Sequence, residues 1–382
     1  MAKRMRFILS TIMVIVAMTA KAQVTTASLS GKVTDPTKEA IIGATVQAIH
    51  EPSGTRYGAI TNIDGRYTIQ GMRAGGPYSV EVSYIGYQTM MFKDVTLQLG
   101  EVYNLNVQMQ ESSELLDEVI VTAQKTKFAS EKTGATTNIS NTQIANMPSI
   151  SRSITDYSRL SAYGGNGMSF AGSDGRTANF TIDGANFNNS FGLSSNLPGG
   201  GNPVSIEAID EIQIVISPFD VRQTNFIGGG INAITKSGTN TYKGTAYVYH
   251  QNENMRGDAI DREAISGARE KDQSTTYGFT FGGPIIKDKL FFFANGEMRN
   301  TPAIANRWRA SEDGVANADA YISRATVADL QTVSDIAKEK YGYDTGSFTS
   351  FPSDTKSTKL LARLDWNITN NHHLALRYNY TK

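Results

Sequence analysis

Residues 360–367 read Leu-Leu-Ala-Arg-Leu-Asp-Trp-Asn, and residues 374–380 read Leu-Ala-Leu-Arg-Tyr-Asn-Tyr. In the first stretch Leu360, Ala362, Leu364 and Trp366 alternate with Leu361, Arg363, Asp365 and Asn367. In the second, Leu374, Leu376, Tyr378 and Tyr380 alternate with Ala375, Arg377 and Asn379. A period of two is the signature of a β-strand with two unlike faces. Two environments fit it. One is a membrane strand with lipid against the apolar-aromatic stripe and a wet interior against Arg363, Asp365 and Arg377. The other is a soluble sheet with one exposed face. Tyr277, Phe279 and Phe281 repeat the alternation against Gly278, Thr280 and Gly282. Aromatics at strand ends, the short turn Ile286-Lys287-Asp288-Lys289 and one long excursion from Thr301 to Ser357 favour the membrane strand. That excursion holds an expected helix, Thr326 to Tyr341, with Val327, Leu330, Val333 and Ala337 near one face, placed in an outer loop.

Composition narrows the chemistry. The 382 residues carry 36 Lys+Arg against 36 Asp+Glu, so no global field draws the chain to nucleic acid. There is no cysteine, which excludes disulfide frameworks, thiolate zinc sites and cysteine nucleophiles. The four histidines (His50, His250, His372 and His373) are too scattered for most metal or triad chemistry. His372-His373 beside Asn370-Asn371 is read as a solvated hairpin end. Glu312-Asp313 belongs to an Asp-Gly turn rather than to acid/base work. No nucleophile, acid/base pair or metal set assembles, so catalytic, metal and cofactor residues are none. With 35 Gly, 17 Tyr and 16 Phe the chain reads as mainly β and rich in turns.

Residues 1–22 read as a signal peptide. Lys3, Arg4 and Arg6 precede an apolar run from Phe7 to Met18, and Ala20-Lys21-Ala22 gives the cleavage pattern before Gln23. The run is shorter than the roughly 20 residues of a spanning helix. No later run matches it, so membrane entry falls to β-strands.

Residues 23–111 read as an antiparallel β-sandwich. Ala44, Val46 and Ala48 alternate with polar neighbours, as do Tyr78, Val80, Val82 and Tyr84, and then Tyr103, Leu105, Val107 and Met109. Asp35-Pro36, Pro52-Ser53-Gly54, Asp64-Gly65 and Gly75-Gly76-Pro77 separate the strands. Asp64 beside Asn62 is read as a tight turn rather than half a calcium loop. Residues 112–129 follow as a linker around the short β-prone run 115–124. That run fits one more sandwich strand, a plain linker, or a tether that adds itself to a partner's sheet edge.

Residues 130–238 form a glycine-rich unit punctuated by Phe170, Phe180, Phe187 and Phe191. Strand-like Asn179-Phe180-Thr181-Ile182 ends in the turn Asp183-Gly184, and Ile206 to Ile214 and Gly228 to Gly238 follow. Gly238 to Thr245 has the ingredients of a phosphate loop, but Lys243 precedes Gly244 and a strand follows, so nucleotide binding is rejected. Residues 239–382 carry the alternating strands.

Four resemblances follow from these residues. Ser30 to Asp35, Ile42 to Val46 and Asp64 to Ile69 resemble the carboxypeptidase regulatory-like domain, which is not catalytic. Asp117, Glu118, Val119, Ile120, Val121, Thr122 and Ala123 resemble the TonB box of TonB-dependent outer-membrane transporters. The Asp183-Gly184 turn, the Ile206–Ile214 segment and the Gly228–Gly238 ending resemble the plug domain of those proteins. Gly282-Gly283-Pro284-Ile285, Leu290 to Phe293, Lys340 to Asp344 and Arg363 to Asn367 are similar to the Oar-like branch of that family. The resemblance implies an N-terminal β-sandwich, a plug and the first strands of an antiparallel outer-membrane β-barrel. It implies TonB, outer-membrane lipid and a transported substrate as partners, no nucleic acid, and an N-terminal domain in the periplasm. Family barrels have about 22 strands and this pattern supplies about five. The expectation is therefore a C-terminally truncated transporter, a fragment of a longer reading frame. The rival reading is a secreted or surface β-sandwich that binds glycan or protein without transport.

Overall fold

The computed structural model describes residues 24–111, 119–122, 135–149, 152–165, 167–188, 197, 202–218, 223–224, 226–255, 257, 259–260, 263–264, 273–302, 308–346, 354–370 and 372–382. The expected signal segment 1–22, and Asp117, Glu118 and Ala123, lie outside them. The described residues fall into two compact units. One holds the chain up to Gly244 with Thr280–Asn295 and Leu360–Thr381. The other holds Thr245–Phe279, Gly296–Lys359 and Lys382.

The first domain packs two sheets face to face. Its strands are β1 (Ala27–Thr34), β2 (Thr45–His50), β3 (Thr55–Ile60), β4 (Arg66–Met72), β5 (Gly75–Ser83), β6 (Met90–Leu97), β7 (Val102–Asn104) and β8 (Val107–Gln108). One sheet runs β4-β1-β7 with β8 also on β1. The other runs β3-β2-β5-β6 and ends on β9 (Val119–Thr122). Leu29, Val33, Val46, Ala48, Ile69, Val80, Val82 and Leu97 supply the buried core. Alternation buries one side of each strand, as the sequence pattern requires.

Two details depart from the expected antiparallel sandwich. Both β7 and β8 pair parallel to β1. The single strand anticipated over Tyr103–Met109 is broken at Leu105-Asn106. The Leu105 carbonyl accepts the Tyr67 hydroxyl at 2.7 Å, and Asn106 Oδ1 accepts the Lys32 N–H at 2.9 Å. Gly31 makes this approach possible, because a Cβ there would stand 1.9 Å from the Leu105 oxygen.

The middle domain is a five-stranded sheet in the order β10 (Ala135–Ser140), β13 (Ile209–Ser217), β14 (Gly230–Thr235), β11 (Asn179–Ile182), β12 (Ala185–Asn186). All its pairings are antiparallel except β11 with β14. Phe170 and Phe180 are fully buried with Ile139, Ile154, Ile209, Ile212 and Ile214. A Cβ on Gly229 would fall 2.5 Å from the Phe170 ring, so these glycines pack against aromatics rather than loosen the chain.

A third sheet runs β15 (Lys243–Gln251), β18 (Ser274–Ile286), β19 (Leu290–Thr301), β22 (Thr355–Thr369), β23 (His372–Thr381). Two small pairs stand apart, β16 (Ala259–Ile260) with β17 (Glu263–Ala264) and β20 (Arg309–Ser311) with β21 (Ile322–Thr326). Along the described path β15 and β23 each have one neighbour, so this sheet is open. The helix spans Val327–Tyr341, capped by reciprocal Thr326–Asp329 hydrogen bonds and ended by left-handed Gly342. None of its residues is buried.

Candidate functional site

The third sheet inverts the usual order of burial. Leu376 is 63% exposed and Trp366 47%, whereas Arg363 is 8% exposed and Asp365 3%. Phe279, Phe281, Leu360, Leu364 and Tyr378 share the exposed side. Water does not select a face of this kind, but hydrocarbon does.

The buried side holds a charge cluster drawn from three parts of the chain. Asp183 sits in the left-handed turn that ends β11, which fixes its carboxylate against β14. Its oxygens accept the Thr235 N–H at 2.9 Å and the Thr235 hydroxyl at 2.6 Å. Arg363 on β22 grips Asp365 in two bonds of 2.8 and 2.9 Å and donates to the Thr235 carbonyl at 2.5 Å. It also stands 3.7 Å from Asp183. Arg377 on β23 lies 3.3 Å from Asp183 and donates to the Asp183 carbonyl at 3.2 Å. From the first domain, Arg73 reaches Asp365 at 3.6 Å and the Ser237 hydroxyl at 2.9 Å. The buried charges of Arg363 and Asp365 are stable only while their partners stay in place. The cluster holds three segments together and carries no nucleophile.

Two further contacts seat the first domain. Leu99 N–H and Asn138 donate to Glu211 at 3.0 and 2.9 Å, and Gln213 donates to the Leu99 carbonyl at 2.5 Å. Burial raises the Glu211 carboxyl to about 7. At the short-turn end of the third sheet, Asn240 N–H donates to the Pro52 carbonyl at 2.8 Å. Asn240 also exchanges bonds of 2.7 and 2.9 Å with Asp288, and Asn367 donates to Thr55 at 2.9 Å. Beneath this contact His50 bonds Ser53 at 2.6 Å, and burial lowers its imidazole to about 3, so it is neutral at physiological pH.

Of the expected partner-binding residues, Val119, Ile120, Val121 and Thr122 form β9. They pair parallel with Met90, Met91, Phe92 and Lys93 of β6. Their backbone closes the edge of the first domain's sheet. In the sequence Asp183 reads only as a turn residue, and nothing there gives Arg73, Glu211 or Gln213 a role as a contact between domains. The available signal was Arg363-x-Asp365 on one side of a strand, which requires counter-charges opposite. Among the described residues no cluster has metal-ligand character. None of their helices is long and apolar enough to cross a membrane, which says nothing of strands.

The third sheet is thus a sheet with an exposed apolar side and a charged side met by Asp183 and Thr235 of the middle domain. Residues 28–110 match the carboxypeptidase regulatory-like domain, and residues 234–308 match an outer membrane beta barrel domain. The TonB-dependent transporter Oar of Myxococcus xanthus is 26% identical over 225 residues, covering 56% of this chain and 19% of that protein. This chain thus spans about a fifth of the length of that relative. Among solved structures, the outer membrane transporter YddB of Escherichia coli is 13% identical with a TM-score of 0.44, covering 65% of this chain and 33% of its own. The siderophore receptor PirA of Acinetobacter baumannii is 19% identical with a TM-score of 0.40, covering 65% and 31%. In these two domains and this relative the chain is similar to TonB-dependent transporters of the outer membrane. That curated relative is a transporter.

Proposed function

We propose that this chain works in TonB-driven import of a solute across the outer membrane. In this reading residues 1–22 direct export, and the first domain lies in the periplasm. The middle domain acts as the plug, the third sheet forms wall, and Asp117–Ala123 are the box gripped by TonB. The observation that carries the reading is the inverted burial of the third sheet, whose charged side is neutralised by Asp183 and Thr235 of the middle domain. The periplasmic placement is supported by the first domain's contacts with Asn240, Asp288 and Asn367. These lie at the short-turn end of the strands, and short turns are periplasmic in such proteins.

Import needs no bond chemistry from the chain. Strand addition at the box would give the partner a main-chain grip, and work done there would reach the plug through the residues between β9 and β10. The test is energised uptake by cells carrying the protein, with solutes screened by their depletion from the medium. Val121→Pro removes an N–H from the box and resists ladder pairing. It is expected to abolish the TonB-dependent part of uptake while abundance in the outer membrane stays unchanged. Undiminished uptake would sink the assignment of the box.

A further inference from the structure

The run that carries the proposed TonB box already has a strand partner inside this chain. Val119, Ile120, Val121 and Thr122 lie in register with Met90, Met91, Phe92 and Lys93, as the fifth strand of the sheet β3-β2-β5-β6-β9. Without β9, β6 would be a sheet edge with a row of unpaired N–H and C=O groups, the kind of edge that natural proteins cover. Just before β6, Gln88 N–H donates to the Gln110 carbonyl and Tyr87 bridges Glu111. Only residues 112–118 separate that point from Val119, so the box is delivered to β6 at an effective concentration of roughly millimolar.

We propose that β6 is a resting-state holder of the box: pairing with β6 and pairing with TonB are alternatives, and the partner must displace the first domain's edge to take hold. This rests on the reading of Asp117–Ala123 as the TonB box. Both pairings are strand additions through the same main chain. Four residues make a short ladder, and parallel pairing is the weaker kind per residue. Such a ladder holds the segment when nothing competes and yields to a partner that pairs with the whole seven-residue box. The carboxypeptidase regulatory-like domain is then a competitor that sets how readily the receptor is engaged. That role concerns neither the solute nor the plug.

The register supplies both arms of a test. Lys93 is exposed, and in the β5–β6 pairing Phe92 meets Val80 and Val95 meets Tyr78, so Lys93 serves β9 and not β5. The chain has no cysteine, so Lys93→Cys with Thr122→Cys can form one disulfide only. The full chain is embedded in outer-membrane vesicles and probed with the purified periplasmic part of TonB. Oxidation of the double variant is expected to lower capture at least ~10-fold, with recovery on reduction. Lys93→Pro, which denies β9 a ladder position, is expected to raise capture severalfold while the first domain melts at an unchanged temperature. Failure of the disulfide to form under oxidation would overturn the proposal. So would equal capture by the oxidised and reduced forms, because TonB would then be adding to the outer edge of a docked β9. Val121→Pro separates the two ideas. If it abolishes capture while the disulfide has no effect, the box assignment stands and the holder role falls. If wild type and Val121→Pro are captured equally, the box assignment fails and the holder role falls with it.

Discussion

The first domain and the third sheet are written in the same period-two pattern and bury opposite halves of it. In the first domain Val46, Ala48, Val80 and Val82 are fully buried, and their polar neighbours face out. In the third sheet Leu364, Trp366, Leu374 and Leu376 face out, and Arg363, Asp365, Lys359 and Glu297 are buried. Lys359 and Glu297 pair at 2.9 Å, and Arg363 and Asp365 at 2.8 Å. Alternation specifies that a strand has two faces. The solvent on each side decides which face is hidden.

Four measurements test this contrast. The largest effect is expected at Arg363→Ala, which strands Asp183 and Asp365 in a buried site. Removing one partner of a buried ion pair costs about 3–5 kcal/mol. Urea unfolding of the detergent-solubilised chain should show a loss of this size, comparable to that of Leu29→Ala in the apolar core of the first domain. Next, Leu376→Arg should cost about 2–4 kcal/mol in lipid if its strand crosses near the bilayer midplane. A near-zero cost in reconstituted bilayers would show that this face meets water.

A third effect is pH-dependent. The Glu211 carboxyl lies near 7 in the folded chain against an ordinary value of 4.5, so the folded state binds the proton more tightly than the unfolded state does. Stability is then greatest below about pH 4.5, falls as pH rises toward 7, and is level above. The full span is on the order of 3 kcal/mol. Glu211→Gln should flatten that slope in thermal melts taken across the range. The smallest effect is expected at Ile85→Arg. Ile85 is an exposed apolar residue of the first domain at 94% accessibility, where the change should stay within about 0.5 kcal/mol. Opposite outcomes for Ile85 and Leu376, both exposed and apolar, would locate the lipid boundary.

Strand positions were legible because alternation is local. Leu360–Asn367 and Leu374–Tyr380 lie in β22 and β23, and the turn 286–289 separates β18 from β19. The charge cluster was not legible, because its members are spread from Arg73 to Arg377 and only the folded chain joins them. Asp183 was hidden for another reason: an Asp-Gly pair after a strand satisfies turn chemistry completely, so nothing in the sequence asks for a second role. The break between β7 and β8 depends on a tyrosine hydroxyl 38 residues away, beyond the reach of any periodic argument. For Val119–Thr122, four β-prone residues suit a sheet edge in this chain or in a partner equally well, and only the register on β6 distinguishes them.

The position of β1 has a consequence for the order of assembly. It precedes all its partners in the chain: its neighbours are β4, β7 and β8, with Ser28 opposite Val102 and Thr34 opposite Gln108. Contacts so far apart in sequence form slowly, since the intervening chain must be closed into a loop first. A chain delivered from its N-terminus therefore cannot finish this domain until Gln108 has arrived, and needs nothing beyond Met109 for its buried core except Ile234. Until then β1 can pair with β4 alone, and its other edge stays open to whatever holds unfinished chains. Once Gln108 arrives the domain can close on itself while the aromatic strands are still being delivered. The earliest of these strands is thus the one kept waiting, and the length of that wait is set by the 73 residues between Ser30 and Asn104.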